Sequence, residues 1–116
     1  MRHTMKLRPS PFRMILKGEK TYELRLYDEK RQGIKIGDEI EFVNTKTEEQ
    51  LVVSVKNIHI FKNFTELYRA LPLLKCGYTE ENLASANPAD MEEYYSKEKQ
   101  AQYGVIAFEL EKRTEL

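Results

Sequence analysis

A single cysteine, Cys76, leaves this chain without the means to form an internal disulfide, and it equally removes the thiolate-rich zinc sites. That usage fits a reducing compartment, and a cytoplasmic protein is the expectation. No apolar run approaches the roughly 20 residues that a membrane-spanning helix needs. The N-terminus has no apolar secretory core either, because Lys6, Arg8 and Arg13 interrupt it. Repeats and low-complexity tracts are absent. So is a βαβ rhythm with glycine-rich turns, which argues against a doubly wound nucleotide fold. His3 and His59 stand too far from other ligands to suggest a metal site, and neither a metal nor a cofactor is expected.

Net charge is also missing: 19 basic and 19 acidic residues cancel. The average conceals a polarity. Residues 1–36 hold 10 Lys/Arg against 4 Asp/Glu, and the remainder carries the compensating acidic excess. A basic front and an acidic rear do not suit coating long duplex DNA, where phosphate neutralisation dominates. They suit a local anion-attracting face, although scattered solvated charges fit the same count.

What is present is one core's worth of apolar residues, 41% of 116, in a chain of ordinary domain length. One domain over residues 1–116 is expected. Ser10 and Pro11 predict the start of a first helix through Phe12, Ile15 and Leu16, with Gly18 as its stop. From Thr21 to Leu26 the residues alternate, which places Tyr22, Leu24 and Leu26 on one strand face and Thr21, Glu23 and Arg25 on the other. Asp28–Gly33 reads as a polar loop. Lys35–Asp38 reads as a turn into a strand over Glu39–Val43, with Ile40 and Phe42 inward. After a turn at Asn44–Glu49, a long strand runs over Leu51–Phe61. Asn63 predicts a capped helix ending near Pro72, and Asn87-Pro88 a second short helix through Tyr95. Tyr103–Leu110 closes the pattern as a strand, before a charged tail. A small mixed barrel with helices at its side fits this order.

The chemistry concentrates in Gly18–Arg25. Lys20 supplies a mobile ammonium from a well-anchored turn, with Glu23 and Arg25 two residues apart on one strand face and Thr21 behind them. A planar guanidinium suits bidentate contact with a phosphate or base edge. Glu23 can accept from an exocyclic amine or act as a general base, and a desolvated Lys20 can act as base or nucleophile. An exposed strand face with an ordinary Glu–Arg pair fits the spacing too. Arg8, Lys30 and Arg31 can extend a basic rim for phosphates, or stand as surface charges. Tyr68, Tyr94, Tyr95 and Tyr103 can stack a base or simply pack. Glu92 and Glu93 are possible further carboxylates, with solvated helix charges as the plainer reading. Cys76 has no evident His partner and reads as structural.

A resemblance rests on these residues. Met5-Lys6-Leu7, Pro11-Phe12, Ile15 and Gly18-x-Lys20-Thr21-x-Glu23-x-Arg25-Leu26 closely resemble the ASCH domain. Ile34-Lys35-Ile36-Gly37-Asp38-x-Ile40-x-Phe42 is similar to its turn and strand, and Tyr103-Gly104-Val105-Ile106-Ala107-Phe108 to its closing strand. The resemblance spans nearly the whole chain and implies a small, single-domain, bacterial-type member. It implies an α+β fold, a small mixed PUA-like β-barrel with short helices packed at its side, related to domains that bind RNA. It also implies that the cleft carrying the G-x-K-x-x-E-x-R motif is the functional site, with Lys20, Glu23 and Arg25 at the motif positions. An RNA, nucleotide or nucleoside ligand follows. One branch of the family hydrolyses the acetyl amide of N4-acetylcytidine and another cleaves RNA. The first has a threonine nucleophile where this chain has Glu23, so a hydrolase built on Lys20 and Glu23 implies water attack with Glu23 as base.

Overall fold

A computed structural model describes residues 1–112. The charged tail beyond them lies outside the described residues. The first element is a strand, β1 (Arg2–Leu7), not the expected helix. Met5 and Leu7 point inward while Arg2, Thr4 and Lys6 stay exposed, so the alternation is present but short and interrupted by charge. Helix α1 (Pro9–Leu16) begins two residues earlier than predicted: Pro9 takes the first-turn position and Ser10 lies inside the helix. Gly18 ends it at φ +80°.

β2 (Tyr22–Leu26) follows, and then the stretch read as a loop contains one helical turn, α2 (Glu29–Gln32). The Asp28 side chain accepts from the Arg31 N–H and caps it, a local signal too short to show periodicity. β3 (Glu39–Asn44) and β4 (Gln50–Phe61) form a hairpin across the predicted turn. Asn63 caps α3 (Phe64–Ala70) as its sequence requires. Short 3₁₀ turns occupy Leu73–Lys75, Leu83–Ser85 and Pro88–Glu93, the last opened by Asn87 in a reciprocal capping box with Asp90. A further helix, α4 (Lys97–Tyr103), precedes β5 (Val105–Lys112). Tyr103 therefore ends a helix instead of starting the last strand, and Gly104 turns the chain between the two.

The five strands form one mixed sheet in the order β1-β3-β4-β5-β2, with β1 and β3 parallel and the other neighbours antiparallel. A bulge between Val55 and Asn57 helps bend it into a half-barrel. Inside the curve lies the larger core, built on Phe12, Ile40, Phe42, Val53, Ile106 and Phe108. On the outer side Leu24, Val105 and Ala107 meet Phe64 and Leu67 of α3. No helix of the described residues is long and apolar enough to cross a membrane.

Candidate functional site

Register decides where the motif points. Tyr22 and Leu24 sit opposite Glu109 and Ala107 and face α3, whereas Glu23 and Arg25 sit opposite Phe108 and Ile106 and face into the curve. A strand face facing the main core carries charge only if the charges satisfy one another. They do. Glu23 is 3% exposed, and its two carboxylate oxygens take Lys20 Nζ and Arg25 Nε, each at 2.7 Å. Burial pushes the Glu23 carboxyl up, but the Lys20 and Arg25 cations overcome this and hold it below the usual carboxylate range.

The expected mobile ammonium of Lys20 is thus a buried, fixed one. The chain folds back after α1, where both the Glu19 and Lys20 N–H groups donate to the Met14 carbonyl, and this places the lysine under the sheet edge. Gly77 closes over it: a Cβ there would lie 3.6 Å from Lys20 Cδ. Arg25 is likewise held within the protein. Its Nε holds Glu23 and its Nη2 donates to the Lys6 carbonyl at 2.9 Å. Burial lowers the guanidinium's proton affinity, and Glu23, with Tyr95 beside it, more than restores it. Two faces of its fork are therefore already committed within the protein.

These three side chains lie along a cavity of about 470 Å³. Its opposite wall is supplied by residues 68–95. Tyr68, Tyr78, Tyr94 and Tyr95 all line it, and Met14 and Met91 add apolar surface. The wall is tied together by hydrogen bonds: the Tyr78 hydroxyl donates to Asp90 Oδ2 at 2.7 Å and lies 2.6 Å from the Tyr68 hydroxyl. Burial, then these two bonds, raises the Tyr78 phenol's pKa, so the tyrosine stays neutral. Cys76, buried beside Lys20, also lines the cavity. Burial pushes its thiol up to about 11, with Lys20 pulling the other way, so it is not an activated thiolate.

Of the other predicted residues, Arg8 reaches the cavity mouth, where its guanidinium lies 4.9 Å above the Tyr94 ring and 3.7 Å from Glu93. Thr21 does not line the cavity. Its backbone instead joins the Lys75 carbonyl and the Leu110 N–H. Lys30 and Arg31 lie on α2 away from it, with Arg31 bound to Asp28 at 2.7 Å. Tyr103 is likewise elsewhere, beneath Lys99, and Glu92 faces a different surface. His3 pairs with Asp38 and His59 with Glu109. Among the described residues no cluster of three or more His, Cys, Asp or Glu could hold a metal ion. Tyr78, Asp90 and Met14 carried no signal in the chain that marked them as neighbours of the motif, and Lys6 entered only through the family resemblance.

The ASCH domain model matches residues 5–114. The chain belongs to the ASCH domain family. A solved structure of the hypothetical protein PH0355 is 31% identical, with a TM-score of 0.81, over 97% of this chain and 100% of that one. Protein PF0455 from Pyrococcus furiosus is 32% identical, with a TM-score of 0.76, over 99% and 100%. ASCH from Zymomonas mobilis shares the fold at a TM-score of 0.68 and 15% identity, over 95% of this chain and 66% of that one. No curated protein matches. The half-barrel with flanking short helices is thus the ASCH, PUA-like architecture, and the motif triad sits in the cleft beside its sheet.

Proposed function

We propose that this cleft binds one nucleotide unit, presented by RNA or as a free nucleotide or nucleoside. The observation behind this reading is the buried Lys20–Glu23–Arg25 floor beneath a wall of tyrosines in a cavity of about 470 Å³. That volume is in the range of small-ligand sites, which pair apolar and aromatic walls with a few convergent polar groups. Two cations against one carboxylate leave an excess positive charge in a low-dielectric place, which favours an acceptor or anionic ligand group. Lys20 has donors beyond the one given to Glu23, and Glu23 retains lone pairs for an exocyclic amine. Arg25 acts as a positioning residue here, because its N–H groups already hold Glu23 and Lys6. The tyrosine rings supply π-faces for a base. The kinship of the fold with RNA-binding domains supports the same reading.

A second reading has one observation behind it: an ionised Glu23 beside Lys20 at the cavity floor. In a hydrolase acting on RNA or an acylated cytidine, Glu23 would take a proton from attacking water and Lys20 would supply the proton for the leaving group.

One experiment separates the readings. Short single-stranded RNAs, nucleosides and acylated cytidine are incubated with the wild type, Lys20→Ala and the surface variant Tyr94→Ala, each checked for folding. Saturable binding without product, weakened in both variants, supports the binding module. Product that disappears in Lys20→Ala supports the hydrolase. If no ligand binds the wild type and none is turned over, both are wrong.

A further inference from the structure

The cavity mouth is electrically two-sided. Lys6 and Arg8 stand on one rim, from the end of β1 and the residue before α1. Asp90 and Glu93 stand on the other. The two acids differ in how they are held. Asp90 is fixed from within its own wall, since its Oδ2 accepts from the Tyr78 hydroxyl and the Asn87 N–H. Glu93 reaches across the mouth to Arg8 at 3.7 Å, with both side chains more than three-fifths exposed. An ion pair that loose and that hydrated is weak and exchangeable. Arg8 meanwhile lies on the face of Tyr94, an aromatic ring half exposed at the same mouth.

Lys6 completes the arrangement. It forms no ion pair among the described residues, and its carbonyl is clamped by Arg25, so its backbone is anchored to the cavity floor. A lysine with no acidic partner and an arginine with a displaceable one therefore flank the entrance to a site whose floor already carries excess positive charge.

We infer that Arg8 and Lys6 form a phosphate subsite at the mouth of the cleft, and that Glu93 stands in for the ligand's phosphate in the free protein. This rests on the nucleotide reading above and adds where the phosphate goes. A phosphate outcompetes Glu93 because it carries more charge and offers a guanidinium fork bidentate contact, whereas the Glu93–Arg8 contact is long. Moving Arg8 onto phosphate also uncovers the Tyr94 ring for stacking. The shared chemistry is a phosphoryl oxygen pair, supplied either by the monoester of a free nucleotide or by the diester of an RNA chain.

The test compares, by calorimetry at low salt, each of the four ribonucleosides with its 5′-monophosphate and with a dinucleoside monophosphate that starts with it. Wild type, Arg8→Ala and Glu93→Gln are used, all substituted at exposed positions. The phosphate should tighten binding by about five- to tenfold, and the gain should shrink as salt rises. Glu93→Gln should enlarge that gain, changing the affinity for phosphorylated ligands more than that for the nucleoside, and Arg8→Ala should abolish most of it. A gain with the monophosphate alone assigns the subsite to free nucleotides, and a gain with the dinucleotide to RNA. Equal binding of nucleoside and both phosphorylated ligands in wild type and Glu93→Gln overturns the subsite but leaves the cleft reading standing. So does a Glu93→Gln effect that is the same for the nucleoside. If no nucleoside or nucleotide binds, the cleft reading fails and the subsite fails with it.

Discussion

Arg25 and Lys6 join the two free edges of the sheet: the guanidinium of the β2 residue donates through Nη2 to the β1 carbonyl at 2.9 Å, across strands that do not otherwise pair. The same guanidinium holds Glu23 through Nε. One side chain thus closes the half-barrel and orients the buried carboxylate of the candidate site, which couples the stability of the fold to the geometry of the cleft.

Arg25→Ala should therefore destabilise the protein strongly. It leaves Glu23, 3% exposed, with one cation in place of two and removes the β1–β2 bridge. Breaking a buried pair from one side costs about 3–5 kcal/mol. Arg25→Lys should recover only part of this, because an ammonium cannot reach both partners with the geometry of a planar fork. Urea unfolding of the two variants measures the difference, and wild-type stability in either would disprove the bracing role.

Tyr78→Phe tests the tie across the cavity wall. The variant removes the hydroxyl that donates to Asp90 and meets Tyr68. Losing these bonds should cost about 1–2 kcal/mol. The loss should be local. Amide exchange should accelerate over residues 87–95, which the tie holds against α3, and stay unchanged in β3 and β4. Uniform acceleration throughout the sheet would contradict this.

Gly104→Ala should cost about 1–3 kcal/mol even though the substitution adds a single methyl group. Gly104 takes φ +75° and ψ −172° between α4 and β5, a region that side chains rarely enter. A Cβ there would lie 3.0 Å from the Phe61 carbonyl oxygen, so the backbone must shift as well. Gly33→Ala is the control, because its φ is negative and no atom lies within 4 Å of the added Cβ. Thermal unfolding of the pair should show a clear drop for the first and little change for the second.

Acid should weaken the protein through Asp38. The His3 ring N–H at 2.8 Å is the main cause that lowers this carboxyl to about 2, with the Lys35 N–H and the N-terminal ammonium adding to it. A folded-state value below the unfolded one, about 3.9, means that the carboxylate contributes stability above that pH. The contribution is lost as pH falls towards 2. Glu23 is lowered in the same direction, so the two act together. Asp38→Asn should make the acid limb of a stability-versus-pH curve shallower, and an unchanged slope would exclude this source.

Local chemistry made part of the protein legible from its residues. The alternation over Thr21–Leu26 correctly put Glu23 and Arg25 on one face, Asn63 and Asn87 marked real caps, and Gly18 ended the first helix. The motif and its flanks identified the ASCH family. α2 escaped because a single turn is too short to show a period and rests on the Asp28 cap, and α4 escaped because its seven residues bury only Gln100 and so carry no apolar stripe. β1 escaped because charged residues fill its outward positions.

At Gly18–Arg25 the chain by itself determined which residue types stand at the motif and which strand face carries two of them. It could not determine what they touch. Lys20 is buried because a distant segment, Cys76-Gly77, lies over it, and Arg25 is committed because β1, nearly twenty residues earlier, passes beside it. The tyrosine wall opposite comes from residues 68–95, brought to the motif by α3 packing on the outer face of the sheet. Spacing encodes neighbours a few residues apart, whereas burial and the pairing of charges across a cleft arise only when the core brings distant segments together.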